Sequence, residues 1–175
     1  MVKFLQQIIL KRKFKSLKRK VKVANLKLFK SALIVYNATN PEEDKIVRQF
    51  SRFLKEEGVK VESIGYYKKK NKKDEGPQDE LGYYYLKKEE LNWLHFPNTN
   101  AVKKKIATEY NLLLDLNLSG NFCLQMISSL SKATFKVGRA SGYQKDVCDL
   151  TISMPKGNLT ELIEQMKVYL QMINK

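Results

Sequence analysis

The spacing of apolar positions changes along this chain. Leu10, Phe14, Leu17, Val21, Ala24 and Leu28 recur at intervals of four and three, which places them on one stripe of a helix. No Pro or Gly interrupts the first thirty residues. The pattern predicts an amphipathic helix from about residue 3 to about residue 28, with an apolar seam and a polar back. After it the period changes. SALIVYN (31–37) is a short run rich in strand formers, and NPEED follows as a helix start, with Asn40 as N-cap, Pro41 at the first helical position and Glu43 three residues after the cap. That helix should run to about Glu57 and stop at Gly58, a residue suited to a left-handed C-terminal position.

VKVESIGYY (59–67) reads as a second strand, the polar KKKNKKDEGPQDELG (68–82) as a loop, and YYYL (83–86) as a third strand. The stretch KKEELNWLHFPNTN gives no clear assignment. A helix at about 99–109 leads into YNLLLDLN (110–117), the strongest buried-strand pattern in the chain. A helix at 121–132, a strand at 133–140 and a strand at 149–155 follow, then a helix from Asn158 to about Ile173. Strands separated by single helices require right-handed crossovers and parallel pairing. The expected architecture is a three-layer α/β sandwich with a mostly parallel sheet, residues 31–175, preceded by a long basic helical arm, residues 1–30.

Charge sharpens that division. Residues 1–30 hold eleven Lys and Arg and no Asp or Glu, whereas the remaining 145 residues balance 22 basic against 18 acidic side chains, for a net +15 overall. A solvated helix face mixes signs, and this one does not. Such asymmetry points to an anionic partner. Two cysteines, Cys123 and Cys148, and a single histidine fall short of a structural zinc site or a disulfide framework, so no metal or cofactor is expected and both thiols read as reduced. The opening MVKFLQQIIL has neither the unbroken apolar run of a secretory signal nor the eighteen apolar residues of a membrane span. A cytoplasmic location is the expectation.

The segments LIVYNATNPEEDKIV, LNWLHFP, YNLLLDLN, SSLSKATFKVGR and DLTISM resemble a family of uncharacterised bacterial proteins with a Rossmann-like domain. The block YNLLLDLN to LSKATFKVGR is more distantly similar to the N-terminal half of heptosyltransferase-like glycosyltransferases. Both resemblances imply a Rossmann-like fold and neither implies an activity or a site residue.

Chemistry at the strand ends is sparse. The loop after the first strand, NATNPEED, lacks the glycines of a dinucleotide site and places three acids in the first helical turn, where they would repel a phosphate. GxxxxGK[ST] is absent. Asp115, Asn117 and Arg139 are the candidates for a strand-end pocket, with capping of the next turn as the structural reading of Asp115. His95, between Trp93 and Phe96, has no nameable nucleophile or orienting partner. Lys68, Lys69, Lys70, Lys72 and Lys73, flanked by tyrosines, form a second cationic patch.

The sequence therefore favours a non-enzymatic binding protein. Its cationic helix would dock on RNA, the ribosome or another ribonucleoprotein, through Lys11, Arg12, Lys13, Lys15, Lys18, Arg19, Lys20 and Lys22 as phosphate ligands without sequence readout. An anionic membrane surface, or a membrane complex, is the alternative partner. A protein partner could instead take the apolar seam, and an enzyme acting on an anionic small molecule near Asp115 is the third reading.

Overall fold

The computed structural model describes residues 1–154 and 157–173. Its elements are α1 (Val2–Ser16), β1 (Ser31–Asn37), α2 (Pro41–Glu56), β2 (Lys60–Tyr67), β3 (Tyr83–Lys87), α3 (Asn100–Ala107), β4 (Leu112–Leu116), α4 (Phe122–Leu130), β5 (Phe135–Arg139), α5 (Gln144–Val147), β6 (Leu150–Ile152) and α6 (Leu159–Met172). Six strands form one sheet in the order β3-β2-β1-β4-β5-β6, and every neighbouring pair is parallel. The sheet is thus wholly rather than mostly parallel. Residues 174–175, the end of the expected α/β domain, lie outside the described residues, as does Pro155 at the end of the expected sixth strand.

Helices cover both faces. Parallel strands buried on both sides need continuous apolar runs rather than alternation, and the five residues of β4, LLLDL, are all buried. Against one face lie α2 and α6, with Val47, Phe50, Leu54, Leu162, Met166 and Leu170 in the core. The other face carries α1, α3 and α4, with Leu10, Val102, Cys123, Leu124 and Ile127. The N-cap of α2 forms as expected, the Asn40 side chain accepting from the Glu42 N–H, and Gly58 ends the turn at φ +85°. Gly65 has a different reason to be glycine: a Cβ there would lie 2.8 Å from the Ala38 Cβ and 2.9 Å from the Tyr36 ring.

The N-terminal segment departs from the periodic reading. The helix stops at Ser16 instead of about residue 28. Like charges three and four residues apart, such as Lys11 with Lys15 and Lys15 with Arg19, oppose further helix, and the body offers better partners. The chain becomes extended at Leu17, and the Lys22 N–H donates to the Thr134 carbonyl at 2.9 Å. It then makes one 3-10 turn (Leu26–Leu28), and Leu26 and Phe29 enter the core under β1 and β5, with the Phe29 ring 6.1 Å from Phe135. Val21 and Leu28, expected on the seam, are exposed, while Leu10, Ala24, Leu26 and Phe29 are buried.

Residues 17–30 are therefore a strap. It leaves α1 on one face, passes the amino-terminal ends of β5 and β6, and enters β1 from the other face. The Asn25 side chain fastens it further, donating to the carbonyls of Gln171 and Ile173, each at 2.9 Å.

Candidate nucleic-acid interface

The strap separates the eight candidate cations, Lys11 to Lys22, into two roles. Arg19 turns inward. Its guanidinium donates to the carbonyls of Ala133 (3.2 Å) and Thr134 (3.4 Å) and forms a two-pronged ion pair with the Asp149 carboxylate, both side chains largely shielded from water. Asp149 also accepts the Lys136 N–H at 2.8 Å, so Arg19 clamps the strap to the start of β5 and β6. The other seven, Lys11, Arg12, Lys13, Lys15, Lys18, Lys20 and Lys22, are exposed. Among the described residues none of the seven lies within ion-pair distance of a carboxylate. Lys13 reaches over the Phe96 ring, its ammonium 5.7 Å from the centroid.

Four anchors hold these cations in place. Leu10 fixes α1 in the core, and the Gln6 amide, itself buried, donates to the Leu94 carbonyl (3.0 Å) and to His95 Nδ1 (2.8 Å). Arg19 and the Lys22 N–H fix the strap. Alternation helps: Leu17 and Arg19 are partly buried while Lys18 and Lys20 point to solvent. The result is a row of unpaired cations on an ordered backbone, which loses less entropy on meeting an anion than a loose tail would.

The lysine-rich loop is a weaker patch. Lys68, Lys69, Lys70, Lys72 and Lys73 are all exposed, but Lys69 is paired with Glu89 at 3.3 Å. The loop closes on Asp74, which accepts from the Tyr67 hydroxyl and the Lys70 N–H and is held below the usual carboxylate range, chiefly by that N–H.

The strand order reverses between β1 and β4, and open α/β sheets bind ligands outside the carboxyl ends at such a point. A cleft of about 610 Å³ does lie there, lined by Asn37, Thr39, Asn40, Glu43, Lys70 and Ser119. Its electrostatics oppose a phosphate. Glu42, Glu43 and Asp44 occupy the first turn of α2, and burial pushes the Glu43 carboxyl up. Asp44 is engaged with Tyr36 Oη (2.5 Å), Tyr85 Oη (2.9 Å) and Arg48 Nε (3.0 Å).

Asp115, Asn117 and Arg139 do not line that cleft. Asp115 is fully buried and closed by donors: Tyr143 Oη to Oδ2 at 2.7 Å, Gln144 Nε2 to Oδ1 at 2.9 Å, and the Asn117 N–H to Oδ1 at 3.0 Å. Burial pushes its carboxyl up and those donors draw it back. Asn117 organises the entry to α4, donating to the Asn121 carbonyl and accepting its N–H. Arg139, at the end of β5, donates to Ser141 Oγ at 3.1 Å.

Two groups escaped the sequence reading. Tyr143, which precedes the short α5, and Gln144, its first residue, lie between the strands expected at 133–140 and 149–155, and nothing in their spacing places them beside Asp115. Lys136 is fully buried, its ammonium nitrogen 2.7 Å from the Ser128 carbonyl and 3.1 Å from that of Ser129. Burial first, and the Arg19 guanidinium second, hold this amine down at about 7. Its position between Phe135 and Val137 in a strand buried on both faces was the available signal.

A family model matches residues 3–173, nearly the whole chain, arm included. The chain belongs to the family of unknown function DUF6913. No curated protein matches it, and no solved structure does. Among the described residues no helix is long and apolar enough to cross a membrane, and no three His, Cys, Asp or Glu side chains are grouped so that they could hold a metal ion.

Proposed function

We propose that this DUF6913 protein is a cytoplasmic, non-enzymatic docking protein whose N-terminal helix and strap bind the phosphate backbone of RNA, with the ribosome or another ribonucleoprotein as the partner. The observation that carries this reading is the row of seven exposed cations, Lys11 to Lys22, without carboxylate partners among the described residues and on a backbone clamped by Arg19 and Leu10. An immobilised, unpaired cationic row costs self-repulsion in the free protein, and a polyanion relieves it. Between residues 10 and 20 the apolar side chains turn toward the body, Leu10 buried and Phe14 and Leu17 partly so, whereas Phe4, Val21 and Val23 flank the row exposed. The exposed face of residues 11–20, cationic and free of exposed apolar side chains, suits a phosphate backbone, while a lipid interface would use the exposed Phe4, Val21 and Val23 together with the cations, and the liposome arm of the test separates the two.

The test uses the full chain with Lys11, Arg12, Lys13, Lys15, Lys18, Lys20 and Lys22 replaced by Gln. Truncation at Ser31 would remove four core residues and confound folding with binding. Co-sedimentation with ribosomes and, separately, with anionic liposomes is followed from low to moderate salt. Seven phosphate contacts predict a fall in ribosome affinity of roughly four orders of magnitude between 50 and 300 mM salt, and loss of binding in the substituted chain. Binding to liposomes alone would move the protein to a membrane surface, and binding to neither would end the proposal.

A further inference from the structure

The turn between β3 and α3 presents the chain's one tryptophan to solvent: Trp93 is 71% exposed, whereas its neighbours Leu94 and Phe96 are buried. A single exposed apolar side chain is ordinary on a protein surface, so the setting of this one is what matters. This one is not merely loose. Asn92 Oδ1 accepts the N–H groups of Leu94 (2.9 Å) and Phe96 (3.0 Å), the Asn92 N–H donates to the Phe96 carbonyl (2.9 Å), and the His95 N–H donates to the Asn92 carbonyl (2.8 Å). Gln6 of α1 closes the turn from outside, through Leu94 and His95. His95 itself is held at φ +57°, a left-handed conformation in a residue with a Cβ. Backbone held there is maintained by its surroundings and clusters at ligand contacts.

Beside the turn is a cleft of about 340 Å³, lined by Lys13 of α1, Lys103 of α3, and Asn92, Phe96 and Asn98 of the turn. Lys103 Nζ donates to Asn98 Oδ1 at 3.0 Å, and Lys13 stands over Phe96. Two cations from different helices and two amides therefore line one cleft, continuous with the cationic row through Lys13, and the exposed Trp93 follows the lining residue Asn92 directly in the chain. We propose that the 92–98 turn receives one unpaired nucleotide of a single-stranded RNA segment, its base stacked on Trp93 and its phosphate between Lys13 and Lys103. This rests on the RNA reading above and refines it: base-paired stretches lie along the strap, and a splayed nucleotide anchors at the turn. Stacking on an aromatic tolerates any base, so the site selects single strand over duplex rather than a sequence.

The lone tryptophan makes the test direct. A uridine dodecamer and a twelve-base-pair RNA duplex, each end-labelled, are titrated with the full chain. Anisotropy gives affinity and selective tryptophan emission reports Trp93. The dodecamer should quench the emission saturably, at the same midpoint as the anisotropy, while the duplex binds with little quenching. Trp93→Ala, at an exposed position that folding does not need, should weaken dodecamer binding about tenfold and leave duplex binding unchanged; Lys103→Gln should lower the salt slope for the dodecamer by about one.

Dodecamer binding with unaltered emission and no effect of Trp93→Ala would refute the stacking site and leave the cationic interface standing. Failure of both RNAs to bind would remove the RNA reading itself. A blue-shifted emission on vesicles containing phosphatidylserine, without quenching by RNA, would overturn the inference in favour of a lipid contact.

Discussion

Lys136→Met isolates the buried amine, and its effect can be worked from the structure. The end of α4 leaves the Ser128 and Ser129 carbonyls without their usual donors, because the Lys132 N–H goes to Ile106 and the Ala133 N–H to Ser131 Oγ. Lys136 supplies both, and a neutral amine with two N–H bonds can do so as well as an ammonium ion. Facing it are Arg19, which disfavours its charge, and Cys148, Asp149 and Asp115, which favour it; burial outweighs them and holds the amine at about 7. An unfolded lysine titrates near 10.4.

The folded value is the lower one, so between the two the unfolded chain binds more protons, and stability rises with pH. From pH 7 to pH 10 the gain is on the order of 3 kcal/mol; below about pH 7 the contribution is flat. Met keeps the length of the side chain and cannot titrate. It also strands two carbonyls, at about 1–3 kcal/mol each, but that loss is the same at every pH. Urea unfolding of both chains, followed by far-ultraviolet circular dichroism at several pH values, gives the difference in stability, from which titrations common to the two cancel. The wild type should gain on Lys136→Met by about 3 kcal/mol across this range. Parallel profiles would show that the amine keeps an ordinary lysine titration, and the account of its burial would be wrong.

Three further outcomes follow from the packing. Arg19→Gln should destabilise the chain by about 1–3 kcal/mol, since it takes a donor from Asp149 and from the Ala133 and Thr134 carbonyls that anchor the strap to β5; Lys18→Gln next to it should stay within about 0.5 kcal/mol in the same thermal or urea melts. Leu26→Ala should cost about 2–5 kcal/mol because Leu26 is fully buried where the strap enters the core; a loss under about 0.5 kcal/mol would mean that the strap detaches freely. Gly65→Ala should cost about 1–3 kcal/mol, measured by urea denaturation, because the new Cβ meets the Ala38 Cβ and the Tyr36 ring.

The sequence determined what local chemistry can determine. Strand runs such as SALIVYN and LLLDL carry continuous apolar stretches, and helices between them dictate parallel crossovers, so the fold class was legible residue by residue. Asn40, Pro41 and Gly58 announced the ends of α2, because capping acts within a few residues. The asymmetry of charge was equally plain, and with it the row of candidate cations. Their separation was not: whether a lysine or arginine faces water or a carbonyl depends on what folds beneath it. Arg19 differs from Lys18 and Lys20 only because β5 and β6 bring Thr134 and Asp149 under it.

The same holds for α1, whose periodic seam runs on to Leu28 in sequence but is cut at Ser16, where bonds to the sheet outcompete one more turn of a like-charged helix. Asp115, Tyr143 and Gln144 meet across 28 and 29 residues, and Gln6 meets His95 across 89. Periodicity and capping are short-range, so such pairings are set by the order of strands and the burial they impose. Chain order alone does not reveal that Lys13 stands over Phe96 in the turn that exposes Trp93; only the docking of α1 on the 92–98 turn puts them together.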